Sequence, residues 1–179
     1  MVTNIVEAIQ QKLGYRPLKK VDPNTQEIKK ANKMSAEEKL PQAAIPAVLA
    51  AMIKYSDGTD GINLLSADEN RNWLETIYCG KQTDAVQKVA DYAGVNPDEA
   101  RRQMENISTA AVEVVREAVK PPDAEKLRSF MNSQRHSILS HLPASMKMGD
   151  VLNEETFDDR TNKMEGPISS FLHRIEDRL

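Results

Sequence analysis

Cysteine occurs once in the 179 residues, and aromatic side chains make up only 4%. A lone Cys79 excludes an internal disulfide. So few aromatics argue against sandwiches and barrels, whose pleated faces want aromatic and β-branched alternation. Positive charge is not in excess either: 24 Lys/Arg stand against 27 Asp/Glu, a net charge of −3. No global basic field is therefore present to hold a nucleic acid or an anionic membrane, and such a partner would need a local patch. Long apolar runs are also missing. The longest, "AAIPAVLAAMI" at 43–53, falls short of the roughly 20 residues that span a bilayer and reads as a buried helix. The first residues show no basic stretch followed by an apolar one, so cytoplasmic residence is the expectation.

What is present is Ala, Met, Val, Ile and Leu at helical spacing, in a chain long enough to bury a core without disulfides or metals. The expected fold is all-α, a compact multi-helix bundle. Asn4 with Glu7 opens a first helix striped by Ile5, Val6, Ile9 and Leu13, and Gly14 closes it. Ser35 with Glu38 opens the next, whose core positions are Ile45, Val48, Leu49, Met52 and Ile53. Pro41 and Pro46 in this stretch predict that the helix either starts near one of them or is kinked, because an interior proline costs about 3 kcal/mol. Ser66 with Glu69 is the expected box for a helix carrying Trp73, Leu74, Ile77 and Tyr78. Thr83 or Asp84 is the expected cap of the helix striped by Val86, Val89, Ala90 and Ala93 and ended by Gly94. Asn96, Pro97 and Glu99 start the longest helix, 97 to about 119, with a seam of Ala100, Met104, Ile107, Ala111, Val114 and Ala118. Pro121 and Pro122 end it. A helix from about 123 to 140 follows, broken by Leu142-Pro143.

Two segments stand apart. Residues 15–34 carry six Lys/Arg against Asp22 and Glu27, with Pro17, a D-P-N turn and no apolar period. They predict an exposed, mobile basic connector within a bundle domain of residues 1–149. Residues 150–179 carry eight Asp/Glu against four Lys/Arg. They predict an acidic loop followed by an amphipathic C-terminal helix, striped by Ile168, Phe171, Leu172, Ile175 and Leu179 and docked on the bundle.

"IVEAIQQKLG" and "AVQKVADYAG" share an apolar spacing closed by glycine, and each precedes a capped longer helix. An internal duplication of a short-helix/long-helix pair is one reading, and chance similarity of amphipathic helices is the other. The run "AAIPAVLAAM" followed by "DGTDGINLL" gives residues 40–120 a resemblance to the small, all-helical YidB-like bacterial family of unknown function. That resemblance implies a bacterial helical protein. It brings no catalytic residues.

The stretch "FDDRTNKMEGP" at 157–167 fails as a calcium loop, since either register puts Arg160 or Lys163 at a ligand position and no glycine at the sixth. Its acids read as ion pairs and caps that organise a turn before Gly166-Pro167. His136 and His141 are five apart, about 140° around a helix, so they lack the four-residue spacing of a two-histidine zinc site. Cys79, in the last turn of a helix, reads as a buried, inert thiol. No cofactor or metal is expected. The candidate interaction surface is Arg16, Lys19, Lys20, Lys29, Lys30 and Lys33 on the connector, with Ile168, Phe171, Leu172 and Ile175 on the last helix. The sequence favours a non-catalytic protein-interaction or self-association module, binding an unidentified protein or its own copy. The alternatives are a helical module that binds nucleic acid through the connector and a helical enzyme whose site is assembled from distant residues.

Overall fold

The computed structural model describes residues 4–66 and 70–158 of the chain. Caps set the starts of most helices. Asn4 accepts from the Val6 and Glu7 amides and opens α1 (Ile5–Leu13), and Gly14, in the left-handed region at φ 72°, ends it. Ser35 and Glu38 form the expected reciprocal box at the start of α2 (Ala36–Asp57). The third expected box is corrected: α3 (Trp73–Tyr78) is capped by Asn72, which accepts from the Glu75 amide, while Ser66 ends a 3₁₀ turn at Gly61–Leu65. Glu69, the expected box partner of Ser66, lies outside the described residues. α4 (Gln82–Ala93) begins one residue before Thr83 and has no side-chain cap. Asn96 and Pro97 start α5 (Pro97–Ala118) as expected, with Asn96 accepting from the Asp98 amide. Asp123 caps α6 (Ala124–Leu139). A short α7 (Met148–Leu152) and a 3₁₀ turn at Glu155–Phe157 complete the described elements.

The architecture is an all-α bundle around α2. Its residues from Leu40 to Ile53 are all buried, as befits a helix that is apolar on every side. Five alanines among them, at 43, 44, 47, 50 and 51, are fully buried and let α4, α5 and α6 come close. Pro41 and Pro46 lie inside the helix, its sixth and eleventh residues, so neither marks its start. Burial on all sides offsets the hydrogen bonds they forgo. The Tyr78 hydroxyl, itself buried, donates to the Ala47 carbonyl at 2.8 Å, and burial pushes its ionisation far up.

The two short-helix/long-helix stretches share local form but not packing. Ile45, Leu49, Met52 and Ile53 are buried, as are Ile107, Ala111, Val114 and Val115. Yet α1 lies mainly against α5, whereas α4 packs on both α2 and α5. On α5 the seam ends early: Ala118 is exposed and Val119 takes the buried position.

The boundary expected near residue 150 falls inside α7, and Val151, Leu152 and Phe157 join the same core as the other helices. Asp158 explains how the turn is held. Its carboxylate accepts from the Gly149 and Asp150 amides at 2.8 and 3.1 Å, capping α7 from downstream in the chain. Glycine is required at 149, where a Cβ would lie 2.6 Å from the Glu154 carbonyl oxygen. The expected docked helix with Ile168, Phe171, Leu172 and Ile175 lies outside the described residues.

Candidate functional site

The connector expected at 15–34 is laid along the bundle as a strap and held there by main-chain hydrogen bonds. The expectation of a mobile connector rested on the missing apolar period. Polar groups supply the attachment instead. Gln10 on α1 donates to the Arg16 carbonyl at 3.2 Å. Gln42, buried in α2, accepts from the Lys19 amide at 2.8 Å and donates to the Lys19 carbonyl at 3.0 Å. The same Gln42 amide donates to the His141 carbonyl at the end of α6, at 3.1 Å. One side chain thus ties strap, central helix and α6 together. Beyond it the Val21 amide donates to the Ser140 carbonyl at 2.8 Å, and Val21 bridges to Ile28 across a turn. The far end is fixed by the Ala144 amide on the Gln26 carbonyl and by Glu27, which accepts from the Ser145 amide and hydroxyl.

Two clefts flank this strap, and Pro17 and Leu18 line both. The larger, about 650 Å³, runs between residues 14–19 and the start of α2. Leu18, Met34 and Pro41 give it apolar surface, while Arg16, Lys19, Glu37 and Glu38 give it charges of both signs. Arg16 is 88% exposed and reaches Glu38 at 3.6 Å. The Ser35 amide, and behind it Lys19 and Arg16, hold the Glu38 carboxyl below the usual carboxylate range.

The smaller cleft, about 380 Å³, lies between α1, the strap and the end of α6, and brings Glu7, Lys20, His136 and His141 together. His141 is buried. Its Nδ1 lies 2.7 Å from the Ser137 carbonyl oxygen, which can only accept, so Nδ1 carries the proton of the neutral ring. Burial holds this imidazole below its ordinary value. The bond to Ser137 opposes that effect, Lys20 adds to it and Glu7 opposes it. His136 is exposed. The histidines' carboxylate neighbour is therefore Glu7 and not Asp158, which is committed to the α7 amides.

Of the six connector cations, Arg16 and Lys19 line the larger cleft and Lys20 the smaller. Lys29 is paired with Asp22 at 2.8 Å. Lys30, at φ 58°, and Lys33 sit at the 3₁₀ turn Ala31–Lys33 and line neither cleft. Pairing of Arg16 and Lys29 reduces the positive charge that a phosphate backbone would meet. Cys79 is exposed rather than buried: it is the left-handed end residue of α3, at φ 50°, which turns its side chain out of the core. No group of three or more metal-ligating side chains occurs among the described residues. None of the described helices is long and apolar enough to cross a membrane.

Sequence reasoning missed Gln10, Gln42 and Gln134, the last of which accepts from the Ile5 amide at the start of α1 at 3.1 Å. The signal was there for Gln42. It stands in the apolar run of α2, three and seven residues before Ile45 and Leu49, and a polar group on a core face must find partners.

No protein-family model matches the chain, and neither a curated protein nor a solved structure does. The class rests on the fold itself, an all-α bundle with a strap laid across it.

Proposed function

We propose that the chain is a non-catalytic protein-interaction module that takes an extended segment of a partner in the cleft between residues 14–19 and the start of α2. The observation that carries this reading is the lining of that cleft: apolar surface from Leu18, Met34 and Pro41, with the strap cations Arg16 and Lys19 facing the helix acids Glu37 and Glu38. Apolar surface supplies burial, and fixed charges supply orientation. The matching segment places an apolar side chain on Leu18 and Met34 and a carboxylate beside Lys19, whose ammonium has no ion pair among the described residues.

The test is selection of binders from a random displayed-peptide library, followed by titration against wild type and Lys19→Glu. Peptides with an acidic residue next to an apolar one, weakened about tenfold or more by Lys19→Glu, are expected, since loss of one charge-assisted contact and the new repulsion amount to at least about 1.4 kcal/mol. Absence of saturable binding, or binding indifferent to Lys19→Glu, overturns it. Light scattering at low and high salt separates a partner of another kind from self-association: a dimer at both salts would replace the peptide reading with an apolar self-association seam.

A further inference from the structure

Two of the strap's anchors meet beside His141. The His141 carbonyl accepts from Gln42, whose side chain also grips both main-chain polar groups of Lys19. The neighbouring Ser140 carbonyl accepts from Val21. The His141 ring shares the smaller cleft with Lys20, which stands between those two anchored strap residues. We propose that His141 is a proton-operated latch for the strap, closed when the ring is neutral and released when Nε2 gains a proton.

The steps follow from the chemistry of the ring. In the neutral form the Nδ1 proton is spent on Ser137, and Nε2 has no hydrogen-bond partner among the described residues. Protonation at Nε2 puts a full positive charge in a half-enclosed cleft. The groups that meet it are Lys20 on the strap, Glu7 on α1 and His136 on α6. Lys20 repels it and His136 adds a second imidazole to the same wall. Glu7 attracts it, but is exposed and already accepts from the Asn4 amide group at 3.3 Å. Repulsion is relieved most easily by the element with the fewest packed apolar side chains, and that is the strap. Arg16 to Lys20 contains no buried residue, and of these only the half-buried Leu18 packs against the core, so its separation from the helices breaks hydrogen bonds and little apolar packing. Because Pro17 and Leu18 line both clefts, release would also remove one wall of the larger one. That link to recognition rests on the proposed function; the latch itself does not.

The experiment is amide hydrogen exchange on the whole chain at about pH 7.5 and about pH 5.5, with protection corrected for the intrinsic pH dependence of exchange. No partner is added, so its outcome is independent of the peptide titration. Protection of the Lys19 and Val21 amides is expected to fall severalfold at the lower pH, with roughly tenfold as the ceiling for a single imidazole, while that of Ile107 in α5 is unchanged. His141→Gln, neutral at both pH values, should abolish the fall, and Lys20→Gln, an exposed change that leaves the fold intact, should reduce it. Equal protection of Lys19 and Val21 at both pH values in the wild type overturns the latch. So does a fall that Lys20→Gln leaves untouched or that Ile107 shares.

Discussion

At the scale of single residues, the main actors are buried side-chain amides. Gln42 is 1% exposed and makes three hydrogen bonds to main-chain groups outside its own helix. An amide can do this because it offers donors and an acceptor on one planar group, so it substitutes for a strand in holding an extended segment. Truncation leaves the Lys19 amide and two carbonyls without those partners. Gln42→Ala is expected to lower stability by about 2–3 kcal/mol in a denaturant titration, because unsatisfied polar groups cost more than the bonds themselves contribute. Exchange of the Lys19 amide should rise more than that of the core. Full protection of Lys19 in this variant would show that the strap is held by other means.

At the scale of elements, the segment after α6 is the part whose form depends most on tertiary contacts. α7 has five residues and no side-chain cap of its own at Lys147, too short to persist alone. It is held by the Asp158 carboxylate and by Phe157, which is fully buried with the Arg135 guanidinium 4.6 Å from its ring centre. Phe157→Ala should cost about 3–5 kcal/mol through lost burial and the cavity left behind, read as a lowered denaturation midpoint. A cost under about 1 kcal/mol would mean that the 155–157 turn does not plug the core. A pH effect belongs here too. The Glu154 carboxyl is held below its ordinary value by the Thr156 hydroxyl and by Lys54, at 2.7 and 3.0 Å. A depressed carboxylate contributes stability that is present above its unfolded value of about 4.5 and lost as pH falls through the folded one. Melting curves should therefore drop below about pH 4.5, and Glu154→Gln should flatten that drop slightly, since the pair is partly exposed and solvent screens it. A drop of the same size in the variant would assign it elsewhere.

At the scale of the molecule, one contiguous apolar core joins residues from all seven helices among the described residues, from Ile5 in α1 to Leu152 in α7, and Phe157 beyond them. Trp73 is the sole tryptophan, is buried, and lies under the Arg71 and Arg116 guanidinium groups at 5.4 and 5.1 Å. A single core predicts a single cooperative transition. Tryptophan fluorescence and far-ultraviolet circular dichroism should give coincident midpoints. Separated midpoints would divide the described chain into independently folding parts.

Helix content, most boundaries and the core faces were determined by the sequence itself, because caps, glycine stops and apolar spacing act over a few residues: Asn4, Ser35, Asn96 and Gly14 all serve where local chemistry places them. Local rules failed where a helix end is set from outside. Ser66 ends a 3₁₀ turn while Asn72 caps α3, and α7 owes its start to Asp158, which follows it in the chain. The clefts were not legible for the same reason. Glu7, Lys20 and His141 are far apart along the chain, and only the packing of the start of α1 against α6, with the strap pinned by Gln42, brings them to one place. Residues 15–34 illustrate the division most directly: composition determined that the segment would form no α-helix of its own, and the tertiary structure alone decided that it would be held, since the hydrogen-bond partners that hold it belong to α1, α2 and the residues from the end of α6 to Ser145.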